Sequence, residues 1–96
     1  GPERPTALFC TSDRLAARAM QSLAARGLRV PDDVSVVGFN GDAWGELLAT
    51  PLTTVAQPRK EVGEQAARLV LEADGASLRQ ARMVLKPALV QRASTR

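Results

Sequence analysis

Three polar side chains, Ser12, Asp13 and Asn40, are the residues of this sequence best suited to bind a small molecule, because each follows a short apolar run. A carboxylate accepts hydrogen bonds, whereas a hydroxyl and a side-chain amide both donate and accept them. Together they would suit a polar ligand with several hydroxyl or amide groups. Two plainer interpretations stay open: Ser12 or Asp13 could act only as a helix cap, and Asn40 could stand in a tight turn that binds nothing.

The residue types give little support to enzyme chemistry. The chain has no histidine and one cysteine, so a Ser-His-Asp or Cys-His pair within it is excluded. We expect Cys10 to be a buried, inert thiol at the end of a strand. The glycines Gly38, Gly41 and Gly45 form no nucleotide-binding motif, and no carboxylates cluster as metal ligands. The sequence therefore predicts a binding module that is not an enzyme and has no cofactor or metal.

Composition sets the remaining limits. Ninety-six residues make at most one small domain, and a hydrophobic content of 45% with 24% charged residues is typical of a globular protein. The sequence shows no membrane-spanning or targeting segment. Its net charge of +3 comes from scattered basic residues, with only two phenylalanines and one tryptophan. A nucleic-acid interface usually combines clustered basic and aromatic side chains, so we expect none in this chain.

The order of apolar and helical patterns predicts how the polar residues are positioned. Thr6–Cys10 indicates a strand, Arg14–Arg26 a helix that Gly27 ends, and the valine-rich run from Val34 a second strand. A strand, helix and strand in succession imply parallel strands whose carboxyl ends lie side by side. Ligands of such sheets bind at these carboxyl ends. The continuous apolar run further predicts that the second strand is buried on both faces, and its glycines allow close approach of a ligand.

The remaining chain predicts less regular elements. Leu52–Ala56 indicates a third strand, and Pro58 begins a helix that ends at Gly75. The interior positions of this helix are Val62, Ala66, Leu69, Val70 and Ala73. Two extended stretches, Met83–Lys86 and Ala88–Arg92, are broken by a proline, which indicates a sheet edge or a crossing between subdomains.

Four segments of the sequence resemble one family in order and spacing. Pro5–Ala16, Gly27–Phe39, Pro51–Pro58 and Leu89–Thr95 are similar to the corresponding segments of lactose/galactose repressor-type (LacI/GalR) transcription regulators. The resemblance covers nearly the whole chain. It implies an α/β fold of the type I periplasmic-binding-protein class, in which two subdomains are joined by three crossing strands and enclose an effector. The chain would be the last third of such a regulator.

The resemblance also implies a domain organisation and binding residues. Residues 1–56 and 87–96 would belong to the C-terminal subdomain and residues 57–86 to the N-terminal one. The effector-contacting positions map onto Ser12, Asn40 and Gln57, with Asp13 beside the first of them. Asn40 and Gly41 replace the more usual Asp-Asp pair, so the site loses a negative charge. The family's dimer interface maps onto Ala17, Met20, Gln21, Ala24, Trp44, Leu47 and Leu48, although these residues could instead pack in the core.

The function implied is that of an effector-sensing and dimerising part of a cytoplasmic regulator. Its partners would be a sugar or related polar metabolite, a second copy of the chain, and operator DNA through a helix-turn-helix domain outside this chain, with no membrane partner. An alternative is a fragment of a solute-binding protein from an ABC-type sugar transporter. A third possibility is an isolated fragment that has lost its cleft and binds nothing.

Overall fold

The computed structural model describes residues 4–72, 74–75 and 82–96. Its elements are β1 (Ala7–Phe9), α1 (Asp13–Ala25), β2 (Ser35–Asn40), a 3-10 helix (Ala43–Leu47), β3 (Thr53–Ala56), α2 (Arg59–Glu72) and β4 (Ala88–Val90). The strands form one sheet in the order β1-β2-β3-β4. The first three run parallel, and β4 pairs antiparallel with β3. The predicted parallel β-α-β arrangement is therefore confirmed.

The described chain falls into two compact units. One comprises the described residues within Gly1–Ala56 together with Ala88–Arg96, and the other those within Gln57–Pro87. The first unit holds the whole sheet and α1, and the second holds α2. The candidate residues Ser12, Asp13 and Asn40 thus share the first unit.

Helix α1 begins and ends as the sequence predicts. The Ser12 hydroxyl accepts a hydrogen bond from Leu15 N at 3.1 Å, which satisfies one of the free N–H groups at the start of the helix. At the other end Gly27 has φ +77° and Leu28 N donates to Leu23 O at 2.9 Å. This left-handed residue with its returning hydrogen bond is a Schellman-type helix end, and glycine adopts it without steric cost.

A small core lies between α1 and the sheet. Its buried apolar residues are Ala16, Val34, Val36 and Leu52. Along β2 the residues alternate between buried and half-buried rather than being buried throughout. The expectation of a strand buried on both faces is therefore wrong for the described chain, because α1 covers only the face that carries Val36. On the other face Phe9 is 63% exposed and meets Phe39 edge-on, with ring centroids 6.4 Å apart.

The second unit differs in burial from the first. None of the described residues of α2 is buried, and its apolar residues Val62, Val70 and Leu71 are 48%, 67% and 83% exposed. Ala73, predicted inside this helix, lies outside the described residues. The stretch Met83–Lys86 forms no strand in the described chain, whereas β4 lies at one end of the sheet order, as the nearby proline predicted. Among the described residues there is no helix of the length and apolarity that a membrane crossing requires.

Candidate ligand-binding site

The carboxyl ends of β1, β2 and β3 lie at one edge of the sheet. Phe9 pairs with Val37, and Asn40, the last residue of β2, pairs with Ala56, the last residue of β3. Cys10 N donates to Val37 O at 2.8 Å and continues the pairing past the end of β1. This is the edge at which parallel α/β sheets bind ligands. It brings together the loops that carry Ser12, Asp13 and Asn40.

Asn40 stands where β2 turns into the following loop. Its φ is +125°, which is unusual for a residue other than glycine and is found most often at turns and functional sites. Its side-chain Nδ2 donates to Asp42 Oδ1 at 3.0 Å. The residue between them, Gly41, has φ +79°, and a Cβ there would lie 2.7 Å from the Cα of Ala56. The loop therefore packs directly against the end of β3.

Asp13 is a fully buried charged residue near this edge. Its side chain is fully inaccessible to solvent. Oδ1 accepts a hydrogen bond from Thr54 Oγ1 at 2.5 Å, and Oδ2 accepts one from Asp42 N at 2.6 Å. Hydrogen bonds to a carboxylate are short and strong in such surroundings. Asp13 thus joins the start of α1 to β3 and to the loop after β2.

Gly38 makes room for this carboxylate. A Cβ on Gly38 would collide with Asp13 Oδ1 and lie 3.2 Å from the Asp13 Cα. The sequence suggested that the glycines near the end of β2 allow a ligand to approach. In the structure Gly38 and Gly41 allow close contact between parts of the protein, with Asp13 and with Ala56, and the approach of a ligand to them stays a prediction.

The other predicted contact residues occupy distinct places. Ser12 is half-buried and caps α1, so its capping role is present, while its contact with a ligand stays a prediction. Gln57 is exposed and follows β3 as the first residue of the second unit. Cys10 is half-buried rather than buried, and burial raises the pKa of its thiol, which keeps the thiol in its unreactive neutral form. Within the described ranges, no group of three or more histidine, cysteine or acidic side chains is placed to hold a metal ion.

Most residues of the predicted dimer interface line one groove on the first unit. The groove has a volume of about 290 Å³ and is lined by Ala17, Met20, Gln21, Ala24, Leu48, Ala49 and Thr50. Met20 and Leu48 also pack against the core, so for these two residues the alternative of core packing holds in part. Trp44 and Leu47 lie on the 3-10 helix and are 38% and 85% exposed.

Two residues of this site, Asp42 and Thr54, are not predicted from the sequence. The sequence places Thr54 within the predicted strand Leu52–Ala56 and assigns no role to Asp42. Both bind Asp13, from separations of 41 and 29 residues in the chain. A local signal exists only for the bond between Asn40 and Asp42, which are two residues apart, and not for the bond from Asp42 N to Asp13. No local pattern marks Thr54.

The sequence of this chain is similar to those of known proteins. A model of the periplasmic binding protein-like domain matches residues 1–95. The HTH-type transcriptional regulator DegA of Bacillus subtilis is 45% identical over 92 residues, which make up 95% of this chain and 27% of DegA. This chain therefore spans about a quarter of the length of that relative.

Solved structures agree with this result. A LacI family transcriptional regulator from an Arthrobacter species, in complex with lactose, superposes with a TM-score of 0.83 at 34% identity, covering 99% of this chain and 36% of that one. The lac repressor dimer bound to operator and the anti-inducer ONPF gives a TM-score of 0.83 at 33% identity, covering 95% of this chain and 32% of that one. These relatives are transcriptional regulators rather than enzymes.

Proposed function

The chain belongs to the periplasmic binding protein-like domains carried by LacI-type transcriptional regulators, and we propose that it supplies part of the effector site and the dimer interface of such a regulator. In this proposal the first unit is the C-terminal subdomain portion and the second unit contributes to the N-terminal subdomain. A small polar effector binds at the sheet edge and alters DNA affinity elsewhere in the longer protein by changing the populations of two conformations.

The observation that carries the proposal is the loop at the carboxyl end of β2. Asn40 has a left-handed backbone and a side chain held by Asp42, at the sheet edge where this fold class binds ligands. Its neutral amide suits a ligand rich in hydroxyl groups, since it both donates and accepts hydrogen bonds. Ser12 and Gln57 complete the proposed set of effector-contacting residues, whereas Asp13, which is fully buried, belongs to the site without contacting the ligand.

A sugar is the effector class that we propose. The related Arthrobacter regulator, 34% identical, is described in complex with lactose. Asn40 and Ser12 carry an amide and a hydroxyl, and sugar hydroxyls pair well with such groups because both sides donate and accept. A sugar or a related polar metabolite is therefore the first ligand to try.

Self-association is proposed to use the groove lined by Ala17, Met20, Gln21, Ala24 and Leu48, extended by Trp44 and Leu47 on the 3-10 helix. Exposed apolar residues beside a groove are typical of protein interfaces. Leu47 is 85% exposed and Trp44 38% exposed, so both have apolar surface to bury against a second copy. The related lac repressor is described as a dimer bound to operator. By the same proposal, DNA contact belongs to another domain and the protein acts in the cytoplasm.

Effector sensing is tested by titrating the full-length protein with lactose and glucose while recording its tryptophan fluorescence, to which Trp44 contributes. This is the chain's single tryptophan, and it lies four residues after Asn40. We expect a saturable change, and Asn40→Ala should weaken the affinity about tenfold, since one or two hydrogen bonds to the ligand are lost. Arg26→Ala, an exposed change just past the end of α1 and about 20 Å along the helix from Asp13, is the control and should leave the affinity unaltered. Equal affinity in the Asn40→Ala protein would refute the site.

The interface is tested by sedimentation equilibrium over a concentration series. Met20→Glu should raise the dimer dissociation constant at least about tenfold, because it places a charge in an apolar contact. Gln21→Glu adds a charge to the same groove without touching the core, and Trp44→Ala removes apolar area from the 3-10 helix. Ser22→Glu, on the same helix but outside the groove, is the matched control. A monomer at every concentration would overturn the dimer and favour the alternative of a transport-type binding protein.

A further inference from the structure

We propose that Asp13 is a positioning residue, which sets the geometry of the Asn40–Asp42 loop from inside the protein instead of touching the ligand. This inference deepens the proposed function and rests on it in so far as the loop is the ligand site. It also makes a claim about the loop alone, which can be tested without any ligand.

A continuous series of hydrogen bonds supports this role. Thr54 Oγ1 donates to one oxygen of Asp13, and the backbone N–H of Asp42 donates to the other. Asp42 in turn accepts a hydrogen bond from the side-chain amide of Asn40 at 3.0 Å. The side chain of Asn40 is thus linked through two carboxylates to β3, which pairs with β2 along the same sheet.

Burial makes the hydrogen bonds of the Asp13 carboxylate important. Asp13 is fully buried, and a buried carboxylate that loses a donor is left with an uncompensated charge. The buried carboxylate is therefore most stable when both donors, Thr54 Oγ1 and Asp42 N, keep their hydrogen bonds to it. The absence of a side chain at Gly38 leaves the space that the carboxylate occupies. Asn40 holds a left-handed φ of +125°, and such a conformation persists only when its surroundings fix it.

Two variants of Asp13 separate hydrogen bonding from charge. In Asp13→Asn the amide oxygen can accept from Asp42 N, and the amide N–H can donate to Thr54 Oγ1, whose hydroxyl can reverse its direction. In Asp13→Ala both bonds are lost. A positioning role therefore predicts that the loop geometry is kept in Asp13→Asn and lost in Asp13→Ala.

The position of the loop is read directly by NMR of the full-length protein. The Asp42 amide proton, which donates to a carboxylate at 2.6 Å, should resonate downfield in the wild type. Asp13→Ala should shift it upfield and should also move the side-chain amide signals of Asn40. Asp13→Asn should leave both sets close to their wild-type positions. Lactose affinity, measured through the tryptophan fluorescence of the full-length protein, should fall about tenfold in Asp13→Ala and less than about threefold in Asp13→Asn.

Controls distinguish positioning from general destabilisation. Val34→Ala truncates a core residue that is 2% exposed, so it should lower stability without moving the Asp42 and Asn40 signals. Should Asp13→Ala fail to fold, Thr54→Val removes one donor only and should move the same signals by a smaller amount.

Unchanged loop signals in Asp13→Ala would overturn the inference, as would a wild type that binds lactose with an affinity that Asp13→Ala leaves unaltered. If the loop signals move while the wild type binds neither lactose nor glucose, Asp13 still positions the loop and the sugar-sensing proposal fails.

Discussion

Two aspartates near opposite ends of β2 show how differently one residue type can act in this protein. Asp13, at the carboxyl edge, is fully buried and binds groups that lie 29 and 41 residues away in the chain. Asp33, beyond the amino end, is partly exposed and accepts a hydrogen bond from Arg29 N, four residues away, at 2.7 Å. The first holds distant elements together, whereas the second closes a local turn.

The difference lies in what replaces water around each carboxylate. At Asp33 solvent remains available, so a lost partner is largely compensated and the ion pair with Arg29 is weak. At Asp13 no water reaches the side chain, so each missing donor costs the full desolvation of that oxygen. The hydrogen bonds of Asp13 are therefore more demanding in geometry than those of Asp33. A ligand site built on the hydrogen bonds of Asp13 is pre-organised before the ligand arrives.

The largest effect that this comparison predicts comes from Gly38→Ala. The added Cβ collides with Asp13 Oδ1 and also comes within 3.0 Å of Leu52 Cδ2, so the start of α1 must move away from β2. We expect a loss of about 2–3 kcal/mol in the free energy of unfolding, the usual cost of overpacking a tight contact. Chemical denaturation followed by circular dichroism measures this loss.

The matched control is Gly63→Ala in α2. A Cβ at this position has open space around it and the residue is helical, so alanine should leave stability unchanged or raise it by up to about 1 kcal/mol. If Gly38→Ala were as stable as the wild type, the close packing of β2 against Asp13 would be wrong. The contrast between the two ends of the strand would then disappear.

Local signals in the sequence account for the elements and for much of the sheet. The cap at Ser12, the left-handed Gly27 and the valine-rich run predicted α1 and β2 nearly to their ends, because caps and periodicity depend on residues only a few positions apart. The parallel sheet followed from the order of these elements. The edge that carries Asn40 could therefore be predicted without the structure.

Long-range pairings could not be read in the same way. Ser94 is fully buried, donates to Val36 O at 2.5 Å and accepts from Thr53 N at 2.8 Å, yet no pattern in the sequence predicts its burial or these bonds. Its partners lie 58 and 41 residues away. The bond from Thr54 to Asp13 was missed for the same reason. Such contacts depend on which side chains the complete fold brings together. Local patterns of polar residues therefore do not predict them.

The smallest effect should come from Asp33→Asn, and its pH dependence would sharpen the comparison. The hydrogen bond from Arg29 N, aided by the Arg29 guanidinium, holds the pKa of Asp33 below its ordinary value. The stability that Asp33 contributes is therefore fully present above about pH 4 and is lost as the pH falls through the lower pKa of the folded state. Asparagine keeps an acceptor for Arg29 N but loses the charge. Thermal melts should show a small decrease in Tm for Asp33→Asn at pH 7 that narrows toward zero below pH 4. A decrease as large as that of Gly38→Ala, or one independent of pH, would show that the amino end of β2 depends on a fixed carboxylate as much as the carboxyl end does.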